Sequence, residues 1–375
     1  MGYNPTGLTG SQYNTLFERI PVSIDSALGI LNYGLDNLYP QRMEQLRLNS
    51  PLVKSSTEVL EDFLNGTGWE SSGDTVVNRN GETYDDVLNQ VARDASRFSG
   101  AFALHLNFDG TGQALELQRI PFEYVRLARP NLNTGRVEAV LVSDNWERSS
   151  NKKDLKPIRY RMLNPLTAQE DVIKTGRGQV LYFTGMENGM YPLASFDSII
   201  NTAITDASIQ LYEKNNVTRG FHGATVMNYR GAIESEREKR EVKAKAEELI
   251  GTNGPGILVM VKDSDDTSPT LETIAGNDTS DLFTVTLGAV QDRVLQVFKH
   301  PPALMGISPE GGVFTQLAYQ ESYIVYNVIT RNGRRAISTS FNKVSELMGE
   351  SLGKIMENRF AIEGQETVIT DETTN

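Results

Sequence analysis

The sequence predicts an α+β fold, and three observations carry that prediction. Between Ala101 and Phe183, apolar residues alternate with period two in short runs separated by polar turns, the pattern of paired strands. Three proline-free stretches, at about 195–217, 281–300 and 315–352, repeat their apolar residues at steps of three and four, the pattern of long helices. Between the first two of these lies a compact insertion, 221–276, that mixes both periods.

Composition narrows the function classes. The 375 residues suffice for two or three domains, and 39% hydrophobic residues plus 32 Gly give a globular total. Lys and Arg number 36 against 48 Asp and Glu, a formal charge of −12. Proteins that grip nucleic acid over their whole surface are usually basic. An acidic protein can still handle DNA if its task is to avoid sticking to it. The absence of Cys excludes a disulfide scaffold, a thiol nucleophile and cysteine zinc sites. His105, His222 and His300 lie far apart, with no H-E-x-x-H pair, so no histidine metal site is expected. No apolar run approaches the roughly 18–20 residues of a membrane span, and the first residues lack the features of a signal peptide. Met1-Gly2 with Thr6 fits the loose myristoylation pattern, but no polybasic patch supplies a second anchor.

Residues 1–50, rich in Asn, Tyr, Gly and Pro, read as an extended arm or loops with short helices. Pro51 behind Asn49-Ser50 starts a helix that Asn65-Gly66 stops. A second helix covers about 84–98, with Val87, Val91 and Ala95 on one face. Runs 101–106 and 114–118 around Asp109-Gly110-Thr111-Gly112 form a hairpin. Strands follow at Tyr124–Leu127, Val137–Ser143, Ile158–Leu163 and Val180–Phe183.

At Tyr191-Pro192 the character changes. Ser195 is the expected N-cap of a helix of about 23 residues, roughly 34 Å long, with a thin stripe of Phe196, Ile200, Ala203, Ala207 and Leu211. In the insertion, strand 224–227 and a turn at Tyr229–Gly231 lead into a charged helix, 234–250, and then strands 257–261 and 270–274. The next long helix, 281–300, is ended by Pro301-Pro302. A Gly-rich loop precedes the third, whose expected apolar side holds Val325, Val328, Ile329, Ile337, Phe341, Val344 and Met348. Asn332-Gly333 is its expected kink, and the tail from Gly364 is polar.

Catalytic signatures are not found. GTNGPG at 251–256 follows a helix and enters a strand, the reverse of a phosphate-binding loop, and no Gly-Lys-Ser/Thr follows. The acidic turn KDSDDTSP lacks the central Gly and terminal Glu of a calcium loop. No catalytic residue, cofactor or metal is assigned. Paired carboxylates for glycoside hydrolysis cannot be singled out among so many.

Neither thin-striped helix buries enough surface for an isolated hairpin, so lateral partners are implied, and a ring of identical subunits supplies them. The residues resemble the portal proteins of tailed bacteriophages. The resemblance lies in YPLASFDSIINTAITDASIQLYEKNNVTRGF (191–221), in ELIGTNGPGILVM (248–260) and most of all in the block from Asp281 to Tyr323. That block carries Val294-x-x-x-Phe298-x-x-Pro301-Pro302-x-Leu304-x-Gly306, a Gly-rich loop and a helix. IPFEYVRL at 120–127 is similar to a strand of portal wings.

The resemblance implies a portal fold. Residues 1–194 are the α+β wing, 195–220 and 279–305 the stem helices, and 221–278 the small α/β clip. Residues 306–316 are the tunnel loop, 317–353 the long wing helix, and 354–375 a short tail that leaves the crown minimal or absent. It also implies a dodecamer at one capsid vertex, in contact with the major capsid protein. Such a ring passes double-stranded DNA and docks the large terminase and later the head–tail adaptor. Ser308, Glu310, Gly311, Gly312, Val313, Phe314 and Thr315 would face the channel, unless this loop is an ordinary connector. Arg237, Lys239, Arg240, Lys243 and Lys245 give the clip helix a basic density that reads either as a docking surface or as a solvated, salt-bridged face. The alternatives are another ring-forming head–tail connector or baseplate protein, or a carbohydrate-active enzyme.

Overall fold

The structure is a computed structural model of the chain and describes residues 23–146, 156–185, 189–218, 225–230, 237, 240, 257–262, 270–273, 280–307 and 316–360. It divides into two compact units, Met1–Ala203 with Arg293–Asn375, and Ile204–Asp292.

The first unit opens with a pair of two-residue strands, β1 (Ile24–Asp25) and β2 (Ile30–Leu31). Two helices follow, α1 (Tyr39–Asn49) and α2 (Pro51–Asn65). Ser50 caps α2 as expected, its Oγ accepting from Val53 N at 3.4 Å, and Gly66 ends it at φ 59°. Gly is required there, because a Cβ would sit 1.9 Å from Met356 O. Helix α3 (Tyr84–Arg97) starts on a reciprocal capping box between Thr83 and Asp86. The Thr83 backbone and side-chain donors hold the Asp86 carboxyl below its ordinary range.

Six strands form one mixed sheet: β3 (Phe102–Phe108), β4 (Ala114–Ile120), β5 (Val125–Leu127), β6 (Ala139–Val142), β7 (Ile158–Met162) and β8 (Gln179–Phe183), in the order β4-β3-β8-β7-β6-β5. Only the β7–β8 pair is parallel. The short helix α4 (Ala168–Thr175) supplies the connection that such a pair needs. The Asp109–Gly112 turn closes the β3–β4 hairpin as expected, through Gly112 N to Asp109 O at 3.1 Å.

The alternation of β3 sends Phe102, Leu104, Leu106 and Phe108 into the main core. Val87, Leu88, Val91 and Ala95 of α3 and Trp69 meet them there. So do Ile337, Phe341 and Val344 of α7 (Gln316–Ser345) and Leu352 and Ile355 beyond it. Burying an aliphatic or aromatic side chain of this kind stabilises by about 1.5–3 kcal/mol. The fold class is therefore α+β.

Several local expectations are corrected. Ser195 does not cap a helix; its Oγ accepts from Ser99 N at 3.0 Å, tying two loops together. The chain passes through a 3-10 turn, Asp197–Ile199, and α5 spans 19 residues, Ile200–Thr218. Helix α6 (Ser280–Phe298) stops two residues before Pro301, because the proline disfavours helical backbone at His300 and Lys299 turns left-handed at φ 56°. Helix α7 is helical throughout Asn332-Gly333, the expected kink. Its expected apolar side is also split: Ile337, Phe341 and Val344 are buried, whereas Val325, Val328 and Ile329 are exposed.

In the second unit, β9 (Thr225–Arg230) lies between β10 (Ile257–Lys262), parallel to it, and β11 (Thr270–Thr273), antiparallel to it. Strand β9 takes in Tyr229 and Arg230, which the sequence assigns to a turn, because they pair with Val261 and Lys262. Arg237 and Arg240 are helical, in the connection that the parallel pair demands. The rest of the expected 234–250 helix, the GTNGPG turn, residues 263–269 and the tail from Ala361 lie outside the described residues.

Candidate functional site

The chain leaves the first unit through α5 and re-enters it through α6, and each crossing point is locked by buried aromatic residues. At the exit, the Tyr33 ring stacks on Tyr191 at 4.1 Å and on Tyr39 at 5.3 Å. Tyr33 donates its hydroxyl hydrogen to Pro192 O. Tyr191 donates to Leu31 O and accepts from Leu127 N, each at 2.7 Å. Tyr39 donates to Asp197 Oδ1 at 2.5 Å and accepts from Ala194 N at 3.0 Å.

Arg126 is fully buried beneath this stack. It donates to Asn37 Oδ1 at 2.6 Å, to Asn37 O at 2.7 Å and to Gln41 Oε1 at 3.0 Å. It also donates to the carbonyls of Glu123 and Val125, and its guanidinium lies 5.5 Å from the Tyr33 ring centre and 5.0 Å from that of Trp146. Burial pushes its pKa down to about 10, so it stays charged at neutral pH. Residues 191–197, the lead into α5, are thus held by four separate segments.

At the return, His300 follows the left-handed Lys299. Its Nε2 lies 2.9 Å from Ser56 O of α2. A carbonyl only accepts, so the proton sits on Nε2, and the buried Nδ1 has no hydrogen-bond partner. The ring stacks on Phe298 at 5.4 Å and meets Tyr326 of α7 at 4.7 Å, and Tyr326 packs edge-on against Phe63 at 4.8 Å. Burial pushes the His300 pKa down to about 4 and keeps the ring neutral.

Helix α7 turns polar side chains inward. Ser322, Asn327, Thr330, Arg334 and Ser338 are all buried. Arg334 donates to Phe63 O at 2.9 Å, Asn327 O at 2.8 Å, Thr330 Oγ1 at 2.7 Å and Glu357 Oε1 at 3.2 Å. Burial lowers its pKa, against the pull of Glu357. Asn327 donates to Asn358 O at 2.7 Å, and Asn358 donates to Asp62 O at 2.8 Å. The segment 352–358 is thereby clamped between α7 and the end of α2.

The expected channel residues Ser308, Glu310, Gly311, Gly312, Val313, Phe314 and Thr315 lie outside the described residues. Their two roots belong to the first unit. Ile307 N donates to Pro302 O at 3.1 Å in the turn behind α6, and Gln316 begins α7. Of the basic set, Arg237 and Arg240 are exposed and helical, three residues apart on one face, while Lys239, Lys243 and Lys245 lie outside the described residues.

Among the described residues, no three His, Asp or Glu side chains gather to hold a metal ion, and no helix is long and apolar enough to cross a membrane. An open polar groove of about 810 Å³ runs between the end of α2 and α3. Its acids are engaged: Asp85 accepts from Trp69 N, Asp86 caps α3, and Glu82 accepts from Asn78 and Gln90.

Sequence reasoning missed the tyrosine stack, Arg126 and the polar inner face of α7. The last had a signal: Ser322, Tyr326, Thr330, Arg334 and Ser338 recur at steps of four.

No protein-family model matches the chain, and no curated protein matches it in sequence. Solved structures do. A chain in the virion of the native gene transfer agent (GTA) particle superposes with a TM-score of 0.52 at 13% identity, covering 83% of this chain and 82% of that one. A chain in the neck of the native GTA particle, computed with C12 symmetry, gives 0.52 at 12% identity, covering 84% of both. An HK97-family phage portal protein from Corynebacterium diphtheriae gives 0.45 at 14% identity, covering 79% of this chain and 89% of that one. The likeness is one of fold, shared with chains of the GTA virion and its neck.

Proposed function

We propose that this chain is the portal protein of a tailed phage or phage-like particle. It forms a ring at one capsid vertex, passes double-stranded DNA during packaging and ejection, and docks the large terminase and then the head–tail adaptor. The observation that carries this reading is the fold shared over 83% of the chain with a chain of the GTA virion. The sequence block with Pro301-Pro302 and the loop behind it supports the same reading.

Physical chemistry favours a conduit over a grip. Twelve copies, each of formal charge −12, make a strongly acidic ring that repels phosphate at short range and lets a duplex slide. Glu310 forms a ring of carboxylates and Val313 with Phe314 an apolar collar, so contact with DNA is steric and independent of its sequence. Arg237, Lys239, Arg240, Lys243 and Lys245 form the docking surface of the clip. The major capsid protein surrounds the ring in the virion.

The mass of the purified particle tests the reading. Twelve times 41.6 kDa gives about 500 kDa, with closed rings in class averages. Monomers or two-fold dimers at micromolar concentration would overturn it.

A further inference from the structure

The outer face of α7 is aliphatic. Leu317 is 61% exposed, Ile324 66%, Val325 50%, Val328 60% and Ile329 38%. Residues 324, 325, 328 and 329 are neighbours on the helix surface, and Leu317 lies two turns earlier on the same line. In its first half the helix is inverted, with Asn327, Thr330 and Arg334 buried and Leu317, Ile324, Val325, Val328 and Ile329 turned outward, whereas Ile337 and Val344 further along are core residues. The inner face is satisfied by hydrogen bonds within the subunit, so the outer stripe is not a core face out of register. It is a patch on the order of 400 Å², about half of what one partner buries in a standard interface.

We infer that this stripe is covered by a second copy of the chain, in a head-to-tail contact where it meets a different surface of the neighbour. Charge points to the occupant. Helix α7 carries Arg331, Arg334, Arg335 and Lys343 against Glu321 alone, a net +3 within a chain of −12. Arg331 and Arg335 continue the stripe, are exposed, and have no ion-pair partner among the described residues. An aliphatic centre with a cationic end complements an acidic, partly apolar protein surface, which every further copy of this chain presents. A nucleic acid offers nothing to the aliphatic centre. The inference rests on the ring reading and names the face that builds the ring.

Two measurements test it on the purified full-length chain. A benzophenone side chain introduced at Val328 should, on irradiation of the assembled particle, give a chain–chain adduct of about 83 kDa, twice 41.6. The variant Ile324→Asp/Val328→Asp should lower the assembled fraction at least about tenfold at micromolar concentration by mass photometry, with an unchanged urea midpoint. Leu132→Asp, an exposed apolar residue away from the stripe, should leave assembly unchanged. An assembled benzophenone variant that gives no adduct, or a double variant that assembles fully, overturns the inference and leaves the ring reading standing. A monomeric wild type overturns both.

Discussion

Gly333 of α7 lies against Leu64 of α2 so closely that a Cβ on Gly333 would come within 2.7 Å of Leu64 Cδ2. Glycine at this point is a packing contact between two helices, inside an unbroken helix. Gly333→Ala gains up to about 1 kcal/mol of helix propensity, which offsets turning the Leu64 methyl aside, so its net effect should stay within about 1 kcal/mol. Gly333→Leu overfills the site and should cost about 1–3 kcal/mol in urea unfolding. A hinge at Gly333 requires a different result: the Ala variant would impair packaging at wild-type stability.

Arg334 holds Phe63 O, Asn327 O and Glu357 together. Arg334→Met strands buried carbonyls and should cost about 3 kcal/mol or more. Arg334→Lys should recover only part of that loss, because one ammonium cannot span the fork. Hydrogen exchange offers a local readout: the amides of 352–358 should lose protection before those of the sheet.

His300 sets a pH dependence. Its folded pKa, near 4, lies below the ordinary 6.5, so the unfolded chain takes up a proton first as pH falls. The stability this ring contributes is complete above about 6.5 and is lost progressively toward pH 4, about 3 kcal/mol in total. Asp94 runs the other way, since burial pushes its carboxyl up to about 6 despite the Arg119 fork, so only a difference measurement isolates the histidine. The stability of wild type minus that of His300→Phe should fall by about 3 kcal/mol between pH 6.5 and 4, and parallel profiles would refute the assignment.

Replacing Gly311 and Gly312 by Pro fixes φ where glycine leaves it free. On the proposed portal reading, rings should still assemble, because the substitutions lie outside the proposed stem and wing, but packaging should slow or stall. Full-length packaging at the wild-type rate would remove 308–315 from the channel.

The parts of the fold that were legible in the sequence are those specified locally. Ser50-Pro51, Asn65-Gly66 and the Asp109–Gly112 turn sit where their backbone chemistry requires them. Helix α1 fits the short helices expected within residues 1–50, but it was not placed there, although Tyr39, Met43 and Leu46 recur at four and three, because the surrounding Asn, Gly and Pro suggest loops. The orientation of α7 could not be read, since both of its faces carry aliphatic residues. Its inward face is decided by partners distant in sequence, Phe63 O, Glu357 and Asn358. The proposed channel and docking residues rest on composition and resemblance alone.

The clamp on segment 352–358 also bears on how the chain is made. Met356 N bonds Gly68 O and Thr67 N bonds Met356 O, while Asn358 reaches Asp62 across 296 residues of sequence. A ribosome completes the helix at Pro51–Asn65 long before it releases its partners. The first unit therefore cannot close before residues 352–358 have emerged, whereas residues 204–292, contiguous in sequence, can fold ahead of it. Until then, the nascent chain carries Trp69 and Phe102 without Phe341, Leu352 and Ile355 to cover them. A premature stop before Leu352 should accordingly yield a product that chaperones retain.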